Sequence, residues 1–396
     1  MTWLTEAGPL IGRASEILSR TTDPLSAGSA FRKTHPELSG EQTAQVLDQA
    51  HLRVLARDRH GRPDADDLLL TRDGLEQGTR GDVAAWRAEL IRLSGARRVL
   101  DLTAGLGFDA RAFAQAGLEV TAIERDPATA ELLAWNLRHW PNARVLTADA
   151  MSSDAQALVD NLDPTDVVFI DPARRDPAGP RDLATGRARP ERDPERWSPP
   201  LSFIMNLRHS RVVVKAAPAF QPPAGWHAEW ISHDRTIVEC SAWSWPTFAV
   251  ARRAVIMNRT PMVVEPQPDT WPTQPIATYV HEADPAIVRA GLLSHLGINR
   301  IDDASTWLTT EDPAPAWLRP ALRTFKVVRV LGGSLAEQRA SLAELGVTRL
   351  VIKSRDADAD PRQELSRLGV SEGGAHVLVM TRQSGRMISV LTTQES

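Results

Sequence analysis

The sequence predicts an α/β protein: a doubly wound, mostly parallel sheet in the middle of the chain, a helical region before it and a smaller α+β unit after it. Three observations carry this. Between residues 76 and 258 short apolar strands alternate with helical segments, the pattern of parallel βαβ units covered on both faces. A glycine-bearing turn, TAGLGFDA, follows the first of these strands. Prolines then crowd residues 261–275 and hydrophobic periodicity stops, so that 259–275 reads as a proline-rich linker.

Taken in order, residues 1–75 read as helical. Ser39 or Gly40 caps a helix through Gln42, Val46, Leu47, His51 and Leu55, whose apolar positions recur at helical spacing, and the polar run Asp58–Asp67 ends it. Within 76–258 the expected strands are Val99–Leu102, Val120–Ile123, Val145–Thr147, Val167–Ile170 and Val212–Val214. Helices are expected at Arg111–Ala116, Ala128–His139 and Ala155–Asn161. Ile237–Cys240 and Phe248–Ile256 alternate in a way that suits a closing antiparallel pair. Residues 276–396 are expected to form the α+β unit, with strands at Phe325–Leu331, Leu350–Lys353 and Ala375–Thr381 and helices at Ser334–Leu345 and Pro361–Leu368.

Bulk properties exclude several classes. With 42% hydrophobic and 24% charged residues, the 396-residue chain has the composition of a protein that buries two or three cores. One cysteine, Cys240, allows no internal disulfide, and no Cys/His spacing suits a metal, so no metal is expected. The start of the chain lacks the charged and apolar regions of a signal peptide. No apolar run approaches the ~20 residues that span a bilayer. The expected location is therefore cytoplasmic, with no membrane partner. A net charge of −4 decides nothing about nucleic acid.

The segment VLDLTAGLGFDA carries the strongest chemical signal. A strand ends in Asp101, and a tight loop with Gly105 and Gly107 precedes the next helix. In doubly wound sheets ligands bind beyond the carboxyl ends of the strands, and glycine admits close approach or a left-handed φ. Gly105, Gly107 and Ala110 leave a dinucleotide pattern open. Asp101 weighs against it, because a carboxylate beside the loop repels a pyrophosphate and suits an ammonium or sulfonium cation. Glu124 ends the second strand, where an acid can bond both ribose hydroxyls, and Asp149 follows the third, where one can accept from an adenine amine. Each acid alone also reads as a helix cap. Three acids at three successive strand ends read as a cofactor cleft.

These residues resemble the cofactor motifs of the class I S-adenosylmethionine-dependent methyltransferases. Asp101-Leu-Thr103-Ala104-Gly105-Leu-Gly107 stands where that superfamily has D-x-G-x-G-x-G, with Thr103 in place of the first glycine. Asp109 resembles the polar residue found there in many RNA-modifying members. The resemblance implies a Rossmann-like sheet over residues 76–258. It also implies S-adenosyl-L-methionine held by Asp101, Thr103, Ala104, Gly105, Gly107, Phe108, Asp109, Glu124, Arg125, Asp149 and Ala150.

The fourth strand ends VVFIDPARRDPAGPR. Amino methyltransferases place D/N-P-P-aromatic here, where a side chain and a carbonyl accept from the target nitrogen. Such positioning is most of the catalysis when the leaving group is already good. Asp171 and Pro172 match, but Ala173-Arg174 replaces the rest, so a stacking aromatic would have to come from Trp197 or Phe203, each of which also reads as core. Arg174 and Arg175 can grip phosphate or pair with Asp176 or Asp182. Lys215 and Glu239, with Asp171, are similar to the K-D-K-E set of ribose 2′-O-methyltransferases, in which lysine removes the hydroxyl proton. The first lysine of that set has no match, since only Lys33 precedes the core. The plainer reading is that Lys215 pairs with Asp171 or Glu239. A nucleophilic role for Cys240, inside a strand, is not expected.

Residues 319–355 concentrate eight cations (Arg319, Arg323, Lys326, Arg329, Arg339, Arg349, Lys353, Arg355) against Glu337 and Glu344. This is either a solvated mixed surface or a field of the kind that binds nucleic acid. The stretch from FKVVRVLGG to HVLVMTR resembles the THUMP-like domain appended to a family of bacterial RNA methyltransferases, and YVHEADPAIVRAGL and DPARRD resemble the same family. That likeness implies RNA, tRNA or rRNA, as partner, with Arg349, Lys353 and Arg355 as contacts. It implies methylation at a base nitrogen or a ribose 2′-hydroxyl. The alternatives are a methyltransferase for a small molecule or protein, a cofactor-binding RNA-binding protein without turnover, and a dehydrogenase. Thermal stabilisation by S-adenosylhomocysteine rather than NAD separates the last from the rest.

Overall fold

The computed structural model describes residues 2–20, 24–174, 191–268, 271–355 and 359–395. Contacts divide the chain into two compact units, residues 1–216 with 242–247 and residues 217–241 with 248–396.

The first unit opens with helices α1 (Thr2–Glu6), α2 (Gly8–Arg20), α3 (Pro24–Thr34), α4 (Gly40–His60), α5 (Arg72–Gln77) and α6 (Gly81–Leu93). Ser39 caps α4 in a reciprocal box with Gln42, and Gly61 closes it in the left-handed region at φ 59. Next come β1 (Arg98–Asp101), α7 (Phe108–Gln115), β2 (Glu119–Glu124), α8 (Pro127–Leu137), β3 (Ala143–Thr147), α9 (Ser153–Asp160), β4 (Val167–Ile170), α10 (Leu201–Met205) and β5 (Val212–Ala216). The strands lie in the order β3-β2-β1-β4-β5, and their pairings are parallel. The order reverses between β1 and β4, so loops leaving the two strands part to opposite sides and leave a crevice at their carboxyl ends. Val167–Ile170 is buried throughout, as a strand covered on both faces must be.

Residues 1–75 are not a separate appendage. Ile11, Phe31, Val46, Leu68 and Leu75 share one apolar core with Leu106 and Phe108 of the glycine turn. Asn136, fully buried in α8, fastens the same region by accepting from Leu69 N and donating to the carbonyls of Leu69 and Leu106 at 2.8–3.0 Å.

The second unit holds β6 (His227–His233), most of β7 (Thr236–Trp243), β8 (Arg252–Met257), β9 (Met262–Val264), β10 (Tyr279–Ala283), α11 (Pro285–Ala290), β11 (Asn299–Arg300), β12 (Trp307–Thr310) and β13 (Leu322–Leu331). It continues with α12 (Leu335–Glu344), β14 (Arg349–Lys353), α13 (Pro361–Leu368), β15 (Ser371–Glu372), β16 (His376–Gln383) and β17 (Arg386–Gln394). Two expectations are corrected here. The strands at Ile237–Cys240 and Phe248–Ile256 are not partners, because β6 lies between them and pairs with β8 in parallel. The proline-rich linker also contains β9, which pairs antiparallel with β8. Strand β6 escaped notice because its interior residue Glu229 is an acid. That carboxylate is fully buried, and its Oε2 accepts from Arg253, its register partner on β8, at 2.8 and 3.1 Å.

The remaining strands form one sheet in the order β11-β12-β10-β13-β17-β16-β14-β15. The expected strands and helices between 325 and 381 are all present, with β10, β11, β12, β15 and β17 added. Strand β14 is four places from β10, about 19 Å on a flat sheet. Yet Lys353 at its end reaches Glu282 of β10 at 2.8 Å. The sheet therefore curls strongly on itself.

Gly107 caps α7 at φ 84, and a Cβ there would collide with Leu133 Cδ1. Replacing Gly107 by Ala should lower unfolding free energy by about 2–3 kcal/mol in urea titration, combining left-handed strain with overpacking.

Candidate active site at the carboxyl ends of β1 and β4

Asp101 closes β1 and is 1% exposed, with Oδ1 accepting from Thr103 N at 3.1 Å. Thr103 Oγ1 in turn accepts from Asp171 N at 2.7 Å. The threonine that replaces a glycine of the motif thus ties the loop after β1 to the end of β4. Ala104 N donates to Ile123 O at 2.9 Å, and Gly105 N to Glu124 Oε2 at 3.0 Å, so the turn is also held to the end of β2. Glu124 Oε1 accepts from Asp126 N at 2.9 Å. Asp149 Oδ1 accepts from Met151 N at 2.7 Å, Ala150 O accepts from Gln156, and Arg125 Nη1 reaches Ser198 Oγ at 3.1 Å.

The two glycines answer different demands. Gly105, at φ 55, faces open space, so its backbone conformation excludes a side chain and the room beside it stays free. Gly107 is required by helix packing against Leu133.

Phe108 and Asp109, expected to touch the cofactor, are turned to structural work. Both Asp109 carboxylate oxygens are engaged, one by fully buried Arg87 and the other by Thr79 Oγ1 at 2.5 Å. Arg62 bonds the Thr79 carbonyl and lies over the Phe108 ring, 3.6 Å from its centroid. Gly78 packs so tightly on Phe108 that no Cβ would fit. Arg62, Thr79 and Arg87 are the residues that sequence reasoning missed, since nothing in a helical pattern distinguishes an arginine that will be buried.

Asp171 Oδ2 accepts from Lys215 Nζ at 2.5 Å, and the same ammonium, 5% exposed as a residue, is 3.4 Å from the Gln77 carbonyl. The pairing expected as the plainer reading of Lys215 is thus present. Pro172 is buried beside it. Ala173 makes a two-bond bridge to Ser198 at 2.9 and 3.1 Å, and Arg174 O accepts from Glu191 N. Arg175, Asp176 and Asp182 lie outside the described residues. Trp197 is buried, as a core residue is, and Phe203 is half-buried in α10. Glu239 belongs to the second unit, where Ser241 Oγ donates to it at 3.0 Å. Burial, with Glu239 and Glu229, pushes the Cys240 thiol far above the range in which a nucleophilic thiolate forms.

Arg349, Lys353 and Arg355 do not form one patch. Lys353 and Arg355 pair with Glu282, whereas Arg349, at the other end of β14, bonds the Glu372 carbonyl at 3.2 Å.

Burial holds the Asp101 carboxyl well above the usual range. Thr103 N opposes this, and Asp109, Asp171 and Glu124 reinforce it by repulsion. A buried acid among acids calls for a cationic ligand, and the opening beside Gly105 leaves a place for one. The donor set fits S-adenosylmethionine, whose ammonium and sulfonium are both positive. Asp101, the Gly105 turn, Glu124 and Asp149 would hold it.

With its folded pKa raised, Asp101 costs nothing while protonated in both states and destabilises the ligand-free protein as pH rises above the unfolded value near 3.8. Asp101→Asn should therefore melt above wild type at neutral pH, with the gap closing in acid. It should also lose the thermal stabilisation given by S-adenosylhomocysteine. Equal melting of variant and wild type at all pH values would refute this.

Comparisons with known proteins agree with the geometry. A family model described as "Putative SAM-dependent methyltransferase" matches residues 71–176, and one described as "THUMP domain-like" matches 322–394. An uncharacterized S-adenosylmethionine-dependent methyltransferase of Mycobacterium tuberculosis (strain H37Rv) is 28% identical over 338 residues, covering 82% of this chain and 87% of that protein. Ribosomal RNA small subunit methyltransferase J of Alkalilimnicola ehrlichii is 31% identical over 237 residues, covering 54% of this chain and 89% of that protein. The crystal structure of a "putative methyltransferase" from Porphyromonas gingivalis W83 superposes with a TM-score of 0.66 at 19% identity, over 91% of this chain and 92% of that one, and shares the fold. The chain belongs to the S-adenosylmethionine-dependent methyltransferases, and it is an enzyme of that class.

Proposed function

We propose that the enzyme methylates RNA, tRNA or rRNA, on a base nitrogen. The observation that carries the choice of atom is the Asp171–Lys215 ion pair at the end of β4. When bound, S-adenosylmethionine supplies an electrophilic methyl group. Asp171 then serves as acceptor for an N–H of the target amine and balances the positive charge that grows on its nitrogen. Lys215, buried and bonded to Oδ2 at 2.5 Å, fixes the carboxylate in one orientation. A lysine engaged as an ammonium donor is poorly placed to take a proton from a ribose hydroxyl, so the 2′-hydroxyl reading is the weaker one.

Support for RNA comes from the relatives and from the second unit. Two relatives carry the name ribosomal RNA small subunit methyltransferase J, the second from Thioalkalivibrio sulfidiphilus at 32% identity over 181 residues. Residues 322–394 match a THUMP-like model. Action on RNA would place the protein in the cytoplasm, and among the described residues no helix is long and apolar enough to cross a membrane.

Labelled-cofactor assays on cellular RNA and on RNA-free lysate test the substrate class, and nucleoside mass spectrometry of RNA from a deletion strain identifies the product. Label in the lysate alone would overturn RNA. Asp171→Ala should abolish transfer. Lys215→Met should slow it roughly 10- to 100-fold, the scale for a misplaced catalytic group, without changing the pH profile. A loss of pH dependence in that variant would instead make Lys215 the base.

A further inference from the structure

The curl of the eight-stranded sheet gathers cations around one acid. Glu282, with a side chain 5% exposed, accepts from Lys353 Nζ at 2.8 and 3.0 Å, and pairs with Arg355 Nε at 3.1 Å and Arg323 Nη1 at 3.7 Å. Arg235 donates to the Glu282 backbone carbonyl at 3.1 Å. Asp284, the other acid acting on Arg235, is fully buried with Oδ1 committed to Ala286 N. Among the described residues, four cations (Arg235, Arg323, Lys353, Arg355) therefore meet two carboxylates (Glu282, Asp284). Asp356 and Asp358, which follow Arg355 in sequence, lie outside the described residues.

Two features distinguish this surplus from a closed structural pair. Lys353 bonds both Glu282 oxygens, so the acid is satisfied without the arginines, and the side chains of Arg323 and Arg355 remain 37% and 39% exposed. Arg235 sits at φ 59 beside Asp234 at φ 48, in the two-residue turn between β6 and β7. Such turns favour Asn-Gly, and an arginine held in the left-handed region is an outlier that asks for a reason. Burial, together with Arg323 and Arg355, disfavours the charge on Arg235, while Asp284 and Glu282 support it. Like charges crowded this way repel one another until an anion shares them, and guanidinium forks match phosphate oxygens in geometry.

We propose that Arg235, Arg323 and Arg355, seated on Glu282, form a phosphate-binding site that holds the backbone of the RNA substrate. The site rests on the RNA reading above and gives it a place in the second unit. It uses Arg323 and Arg355 from the basic run of residues 319–355 and adds Arg235 from the β6–β7 turn.

The test is binding of total tRNA and rRNA by the full chain at several salt concentrations. Lys353 still neutralises Glu282 in the double variant Arg323→Gln/Arg355→Gln, which should fold. It should bind roughly tenfold more weakly, with a salt slope shallower by about 1.4, two phosphate contacts at about 0.7 each. Arg235→Gly removes the charge and the strained φ together, so it should melt higher than wild type while binding RNA more weakly. A purely structural cluster gives the opposite pattern, lower melting and unchanged affinity. Wild-type affinity and slope in both folded variants overturn the phosphate site and leave the RNA reading standing. Failure of the wild type to bind either RNA overturns both.

Discussion

The site depends on two hydrogen bonds made by Thr103, one from its amide to Asp101 and one accepted by its hydroxyl from the Asp171 amide. Strands β1 and β4 are neighbours, but their loops leave in opposite directions, as the reversal of strand order requires. Without a tie, the carboxylates of Asp101 and Asp171 would be placed by separate loops. Methyl transfer needs both ends aligned, and an error of about an ångström in such alignment can cost two orders of magnitude in rate. A glycine at position 103 could not supply the second bond.

The same economy explains the N-terminal helices. The glycine turn faces open space on one side at Gly105, so its other side must be held firmly. Leu106 and Phe108 are buried in the core of the helical region, Arg62 covers Phe108, and Asp109 is locked between Arg87 and Thr79. An ion pair as deeply buried as Arg87–Asp109 contributes little net stability, because desolvation offsets attraction, but removing one partner strands a charge. Its effect is to fix one arrangement of α6 against α7. The Gln77 carbonyl, just ahead of Thr79 in sequence, accepts from Lys215, so the helical region also reaches the ammonium paired with Asp171.

In the second unit charge is handled in two ways. Glu229 and Arg253 are matched across a strand pair and sealed from water. Around Glu282 the cations outnumber the acids and their heads are partly open. The difference follows from topology. Glu229 and Arg253 lie in register on adjacent strands, whereas Glu282 collects side chains from β13, from the far end of a curled sheet and from the β6–β7 turn.

The sequence by itself determined the parallel sheet of the first unit, its glycine turn and the acids at its strand ends. Those features are local: an apolar run of four residues, a positive φ, and a carboxylate at a strand terminus can each be read from neighbours in the chain. It also specified the strands and helices between 325 and 381, where periodicity is clean. Tertiary structure decided what long-range pairing decides. Strand β6 was hidden because its buried Glu229 looks polar until Arg253 is opposite it. Phe108 and Asp109 sit within the motif yet face helices more than twenty residues away, which no spacing reveals. Lys353 and Arg355 looked like free cations because Glu282, about seventy residues earlier, meets them only when the sheet curls.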